Sequence, residues 1–374
     1  LSWSTETVEE QREEFRRLAL HADASVSELC RRYGISRKTG YKWLAREQMS
    51  DRSRRPRSTP TRTAAELESR VVELRGAHPA WGGRKIAHIL KRDQGIEIAP
   101  STVTSVLRRH GLIDQADGDA SKAWLRFEHP RPNSLWQMDF KGHFALGSQR
   151  CHPLTVLDDH SRFNVALKAM SGEDGNGVRA ALDQVFRRYG LPECINTDNG
   201  PPWGSGGRGS LTALNVWVIR LGIRASHSTP YHPQTNGKDE RFHRTLKAEV
   251  LSRRNFDDFD SLQQRLDAWR AVYNLKRPHE ALDMKTPAER YEPSPRSMPS
   301  TLPPIEYSPD DQIRKVQAMG IVKFKGRRLR IGLSLHGLPV AFRADPQVDG
   351  VYDVFFCHQR VDRVDLNEVQ SEPT

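Results

Sequence analysis

The sequence predicts a multidomain chain: two N-terminal all-α helix-turn-helix domains, an α/β core on a mixed sheet, and a small C-terminal β-barrel. Three observations predict it. Residues 1–50 and 63–115 each read as short amphipathic helices broken by glycine turns. Between 133 and 293, apolar strand-like runs give way to alternating helices and strands, the pattern of a mixed α/β sheet. Residues 311–374 change to short strands punctuated by Lys325-Gly326 and Asp349-Gly350. Linkers fill 51–62, 116–132 and 294–310. The length of 374 residues suits about two to four domains.

Composition narrows the partners. A net charge of +11 points to a polyanion. The cysteines Cys30, Cys151, Cys194 and Cys357 are scattered without C-x-x-C spacing. That argues against a zinc site or a disulfide framework and suits a reducing cytoplasm. No apolar run is long enough to span a membrane. The first residues are polar and acidic, unlike a secretory signal.

In chain order, Glu9 to His21 reads as a first helix with Phe15 and Leu18 inward. Ser25 to Gly34 is a second, ending at glycine. Ile35 to Leu44 is a third, with Ser36 as N-cap. As the second half of a helix-turn-helix it places Arg37, Lys38, Thr39 and Lys42 toward a major groove. Gly40 fits poorly there, because an apolar residue would pack better. Residues 51–62 hold five arginines and two prolines and cannot form a core. Arg54, Arg55 and Arg57 are candidates to enter a minor groove. A second trio of helices comes next at Ala64–Leu74, Trp81–Leu90 and Ala99–Arg109, the last with proline near its start. Its candidate DNA contacts are Ser101, Thr102, Thr104 and Arg108.

The core opens with a strand, Leu135 to Phe140, that carries Asp139. Strand-like runs at 154–157 and 163–167 flank Asp158 and Asp159. A helix spans Val178–Tyr189. Another strand runs into a turn at Asp198, succeeded by a helix (211–221) and a short strand (223–226). Pro230, Pro233 and Asn236-Gly237 then forbid regular structure until Lys238. From there Phe242, Leu246 and Val250 recur every fourth residue as an inward stripe. Glu240 lies about 200° away from Phe242 around that helix, free to face a cleft. Taken alone, Glu240 reads better as a solvated surface glutamate. Acids are unfavourable in strands, however, so Asp139 and Asp198 need a reason. Three acids converging would make an oxygen-rich site for hard divalent metals. A long helix at 258–273 completes the core. In the last domain Lys323, Lys325, Arg327, Arg328 and Arg330 crowd one hairpin, as edge-strand protection or as a phosphate contact.

Here the chain resembles a family. Asp139 in W-Q-M-D, Asp198 in T-D-N-G and Glu240 in H-P-Q-T-N-G-K-D-E-R-F-H-R-T-L-K are similar to the Asp, Asp, Glu triad of insertion-sequence DNA transposases with a retroviral-integrase-like core. Tyr273-Asn274, Arg277-Pro278-His279 and Thr286 to Tyr291 match the end of that core. The stretch from Asp198 to Glu240 is longer than the family's, and the excess coincides with the glycine-rich run Gly204 to Gly209.

The resemblance implies a ribonuclease-H-like catalytic core. Asp139, Asp198 and Glu240 would hold two Mg2+ ions, with Mn2+ as a substitute. The enzyme would nick the terminal inverted repeats of its own element and direct the 3′-hydroxyl at target DNA. Asp239 competes with Glu240 as third ligand, and the G-K-x-E-R match favours Glu240, leaving Asp239 turned away. Lys238 and Arg241 are candidates to touch DNA near the cut, and His232 and Asn236 lie on the approach loop. Asp158 and Asp159 read as a structural turn, as in similar proteins. Joining two DNA ends implies a homodimer or higher oligomer on DNA, in the cytoplasm and associated with a bacterial nucleoid. The alternative is a DNA-binding regulator on an inactive integrase-like fold. Tandem helix-turn-helix domains argue against a nuclease of RNA hybrids, and no serine or tyrosine recombinase nucleophile motif is found.

Overall fold

A computed structural model of the chain describes residues 7–52, 62–113, 128–204, 211–227, 237–252 and 256–367. The chain divides into two compact units, 1–62 and 63–374. Arg54, Arg55, Arg57, His232, Asn236 and the glycine-rich run from 205 onward lie outside the described residues.

The first unit holds α1 (Val8–Ala19), α2 (Val26–Arg32) and α3 (Arg37–Leu44). Thr7, Ser25 and Ser36 cap them by accepting from the backbone of the first turn. Phe15, Leu29 and Cys30 form the centre. Gly40 is explained by this packing. A Cβ there would lie 2.5 Å from Cys30 Sγ and 3.0 Å from the Phe15 ring. The residue that fits a recognition helix poorly by pattern is what lets α3 close on the other two.

The second unit begins with α4 (Ala65–Ala77), α5 (Gly83–Gln94) and α6 (Pro100–Arg109). Trp81, Ile86, Leu90, Val103, Val106 and Leu107 make their core. Gly95, at φ 67°, ends α5 in the left-handed region. Arg84 and Lys85 of α5 pair with Glu280, at 3.0 and 3.4 Å, so this trio is fastened to the far end of the α/β core.

That core is built on a six-stranded mixed sheet. Its strands are β1 (Trp136–Phe140), β2 (Phe144–Leu146), β3 (Gln149–Asp158), β4 (Asn164–Met170), β5 (Cys194–Thr197) and β6 (Arg224–His227). The order is β2-β3-β1-β5-β6, with β4 also on β3. Strands β1, β3 and β4 pair antiparallel, and β1, β5 and β6 pair parallel. Helices cover both faces. Trp136, Met138 and Phe140 point toward α7 (Gly175–Tyr189) and α8 (Ala213–Arg220). Leu157 and Leu167 point toward α9 (Gly237–Leu246) and α10 (Phe259–Leu275). The stripe Phe242, Leu246 and Val250 is buried there.

The free edge of β4 is sealed by side chains of α10. Gln263 bonds Ala169 N and Leu167 O, Arg270 donates to Asn164 O and Val165 O, and Asn274 bonds Asn164 N and O. One helix thus stands in for a missing strand.

The C-terminal strands are β7 (Gln312–Lys315), β8 (Ile321–Phe324), β9 (Arg327–Arg330), β10 (Pro339–Ala344), β11 (Val351–Phe356) and β12 (Gln359–Asp365). They form a four-stranded sheet, β12-β11-β10-β7, and a separate β8–β9 hairpin. The expected barrel is corrected: among the described residues no ladder closes it. Lys325 and Gly326, at φ 43° and 78°, turn the hairpin tightly. It lies over the sheet, stacking Phe324 on Phe342 at 4.0 Å between ring centres. Aromatic packing fills the space that strand closure would otherwise enclose. Gln359 in turn bonds both Ala225 N and Ala225 O at the β6 edge. No helix of the described residues is long and apolar enough to cross a membrane.

Candidate active site

Strand β1 alternates strictly. Its even-numbered aromatic and apolar residues enter one core, which sends Gln137 and Asp139 to the α9 face. Parallel pairing sets Trp136 against Ile195 and Gln137 against Asn196. The same offset carried forward two residues brings Asp139 abreast of Asp198, just past the end of β5. Both acids therefore sit at the carboxyl ends of adjacent parallel strands, the place where open α/β sheets bind ligands. Asp198 is exposed and oriented by its turn, with Gly200 N donating to Oδ1 at 3.0 Å. Its carbonyl lies 2.9 Å from His227 Nδ1.

Electrostatics agree with this proximity. Burial, and then the Asp198 carboxylate, push Asp139 up to about 6, with a smaller push from Glu173 against a lowering bond at Phe140. His243 of α9 stands with Nδ1 4.0 Å from Asp139 Oδ2. Burial and Lys141 hold this imidazole down at about 4, so it is neutral at pH 7. Thr155 Oγ1 gives its one proton to Asp139 O at 2.9 Å, and lies 2.9 Å from His243 Nε2. Nε2–H must then be the donor, which leaves the Nδ1 lone pair facing the carboxylate. The hard oxygens fit Mg2+.

The third acid is not gathered in. Glu240 is exposed on α9. Among the described residues no three acids, histidines or cysteines stand close enough to hold a metal ion. Asp239 takes the inward direction instead. Only 4 % exposed, its Oδ1 has no hydrogen-bond partner among the described residues. Burial, Asp139 and Asp159 push its carboxyl well above the usual range. Asp239 is thus turned under the site rather than away from it.

Lys238 is a second correction. Expected at a phosphate, its ammonium is instead engaged by the buried Asp159 carboxylate and, at 3.1 Å, by Asp159 O. Burial and Arg162 lower its pKa despite Asp159. Arg241 is exposed and near enough to Lys85 to lower that lysine's pKa, after burial and Arg277. Arg244, also exposed, lies one turn beyond Glu240. Sequence reading passed it over, although the H-R-T-L-K run spaces it for the same side.

Of the helical candidates, Arg37, Lys38 and Lys42 are exposed on α3. Thr39 is tied to Ser36, their hydroxyls 2.8 Å apart. Tyr41, 59 % exposed between Lys38 and Lys42 in sequence, is a further contact candidate. On α6, Ser101 and Arg108 are exposed and Thr102 is half-buried. Thr104 is the third correction. It donates to Pro100 O at 2.9 Å and fills the space that a Cβ on Gly83 would need, so it faces α5 and no groove.

Comparison with known proteins gives the following likenesses. Residues 129–233 and 221–287 match models of an integrase core domain. Residues 311–372 match the C-terminal domain of IS481 family transposases, and 39–107 a homeodomain-like domain. An uncharacterized 39.2 kDa protein of insertion element IS476 from Xanthomonas euvesicatoria is 27% identical over 75% of this chain and 76% of its own. A 31.7 kDa protein of insertion element IS407 from Burkholderia multivorans is 28% identical over 60% of this chain and 79% of its own. The HTLV-2 integrase catalytic core in complex with magnesium is 20% identical, covering 43% of this chain and 97% of that one, at a TM-score of 0.34.

Proposed function

We propose that this chain, which carries the integrase core of insertion-element transposases and an IS481-type C-terminal domain, is a DNA transposase. It cuts the terminal inverted repeats of its own element and joins the freed 3′-hydroxyl to target DNA. The observation behind this is the Asp139–Asp198 pair at neighbouring strand ends, with Asp139 raised in pKa by burial and by Asp198 and faced by a neutral histidine. Two Mg2+ ions held by Asp139, Asp198 and Glu240 would activate the attacking oxygen and stabilise the leaving one. Glu240, on the solvent side of α9, would complete the set by swinging its own side chain inward, with the helix staying where it is. His243 is kept unprotonated by burial and by Lys141, with Thr155 fixing its tautomer, and so does not compete with a cation for Asp139. Arg241 and Arg244 flank Glu240 and neutralise phosphates near the cut.

The exposed cations of α3 and α6 supply recognition of the element end, with Arg54, Arg55 and Arg57 as an arm between them. Two ends must be held at once, so the working form on DNA is a dimer or larger. The test replaces Asp139→Asn, Asp198→Asn and Glu240→Gln, each keeping shape while losing charge. Cleavage and joining should fall by about 10²–10³-fold or more, on intact and pre-cleaved ends alike, with DNA affinity unchanged. If all three variants cut normally, cleavage does not run through these acids; a wild type that binds the element end and cuts nothing would make the chain a DNA-binding regulator on this fold.

A further inference from the structure

Asp159 is 1 % exposed and is not a passive turn residue. Three separate segments converge on it. From β1, Gln137 Nε2 donates to Oδ1 at 2.9 Å. From the segment ahead of β1, His129 N donates to Oδ2 at 2.9 Å. From the first turn of α9, the Lys238 ammonium reaches Oδ1 and the carbonyl. Its own backbone joins too: Asp159 N donates to Leu135 O at 2.9 Å, and Arg162 donates to Asp159 O at 2.8 Å. Gln137 is two residues before Asp139 on the same face of β1, and Lys238 is two residues before Glu240. One buried carboxylate thus bridges the strand bearing the first proposed ligand to the helix bearing the third.

We infer that Asp159 and Lys238 are positioning residues: their buried ion pair pins the first turn of α9 to β1 and so fixes Glu240 relative to Asp139. This rests on the reading of Asp139, Asp198 and Glu240 as the metal-holding site. No backbone hydrogen bond joins β1 to α9 among the described residues, so side chains must set their spacing. The inward stripe of Phe242, Leu246 and Val250 resists lifting, but apolar contacts are non-directional. A hydrogen-bonded ion pair of fixed partners supplies the register.

The decisive variant removes both charges, Asp159→Asn with Lys238→Gln, because removing one alone strands the other in the interior. Lys238→Arg, which keeps the pair, is the conservative control. Three readouts on the full chain separate the possibilities: hydrogen exchange across 237–246, Mn2+ binding by calorimetry, and cleavage as a function of Mn2+. In the double variant, exchange should quicken selectively in the first turn of α9. The Mn2+ concentration for half-maximal binding and cleavage should rise about tenfold or more, with DNA affinity within about twofold. Lys238→Arg should leave both as in the wild type. Unchanged exchange and unchanged Mn2+ binding in the double variant would overturn the inference. So would a loss of DNA affinity with a shallower salt dependence, which would make Lys238 a phosphate contact. A wild type that binds no Mn2+ would instead defeat the catalytic reading, and with it the purpose of the pin, while exchange would still report whether α9 is held by this pair.

Discussion

Asp239→Asn tests the inner side of the site most directly. Asp239 Oδ1 is buried without a partner among the described residues, and the carboxylates of Asp139 and Asp159 both oppose its ionisation. An unsatisfied buried polar group costs about 1–3 kcal/mol. An amide is neutral at every pH and turns an N–H toward those two acids, so most of that cost should be recovered. For a unit of this size, 1 kcal/mol moves the melting temperature by about 2 °C, which predicts a rise of about 2–6 °C at pH 7.5. Differential scanning calorimetry of both proteins without metal reads this directly. Cleavage of element ends should remain within a few-fold of wild type, because Asp239 is not proposed as a ligand. A lower melting temperature would show that the carboxylate has a compensating partner. If Asp239→Asn were inactive while Glu240→Gln cut normally, α9 would present Asp239 and not Glu240 to the metals.

Buried groups elsewhere give two more expected outcomes. Burial, Arg277, Lys85 and Arg162 hold His279 neutral in the folded state, well below its ordinary value. The unfolded chain takes up a proton below about pH 6.5, so stability is full above that pH and falls as pH drops beneath it. The slope from this group is about 1.4 kcal/mol per pH unit. Denaturant titrations of His279→Asn between pH 7 and 5 should show an acid limb shallower by up to one proton, and an unaltered limb would refute the assignment. Gly40→Ala should destabilise the first helical unit by about 1–3 kcal/mol through overpacking, read as faster hydrogen exchange in α1 to α3. Cys30→Ala in the same chain should restore protection, since Cys30 Sγ is the nearest atom to the added methyl.

Much of the fold was legible because periodicity is local. The stripe Phe242, Leu246 and Val250 gave the inward face of α9 and of the π-helical turn (Lys247–Leu251) that continues it, and it is buried as the spacing requires. Turn residues at Lys325-Gly326 gave the β8–β9 hairpin. What escaped depends on partners far along the chain. Thr104 has the spacing of a groove contact, but Gly83 opens a gap on the neighbouring helix that its hydroxyl and the Pro100 carbonyl fill. Barrel closure depends on whether terminal strands meet edge to edge, and strand patterning carries no information about that. Lys238 beside a candidate ligand reads as a phosphate contact until Asp159, 79 residues earlier, is seen to occupy it.

The same distinction explains why the neighbouring placement of the two aspartates was legible and the glutamate's placement was not. Asp139 and Asp198 are fixed by a parallel ladder, whose register is set by the buried alternation of β1. A one-residue slip there would exchange Trp136, Met138 and Phe140 with Gln137 and Asp139 across the sheet, so the core itself holds the pair together. Glu240 has no such constraint. Rotation of α9 by one residue, about 100°, exchanges Asp239 for Glu240, and the apolar stripe alone tolerates part of that rotation. Choosing between the two acids therefore requires polar contacts that fix rotation, and the grip of Lys238 on Asp159 is the contact that α9 makes at the turn where the choice is decided.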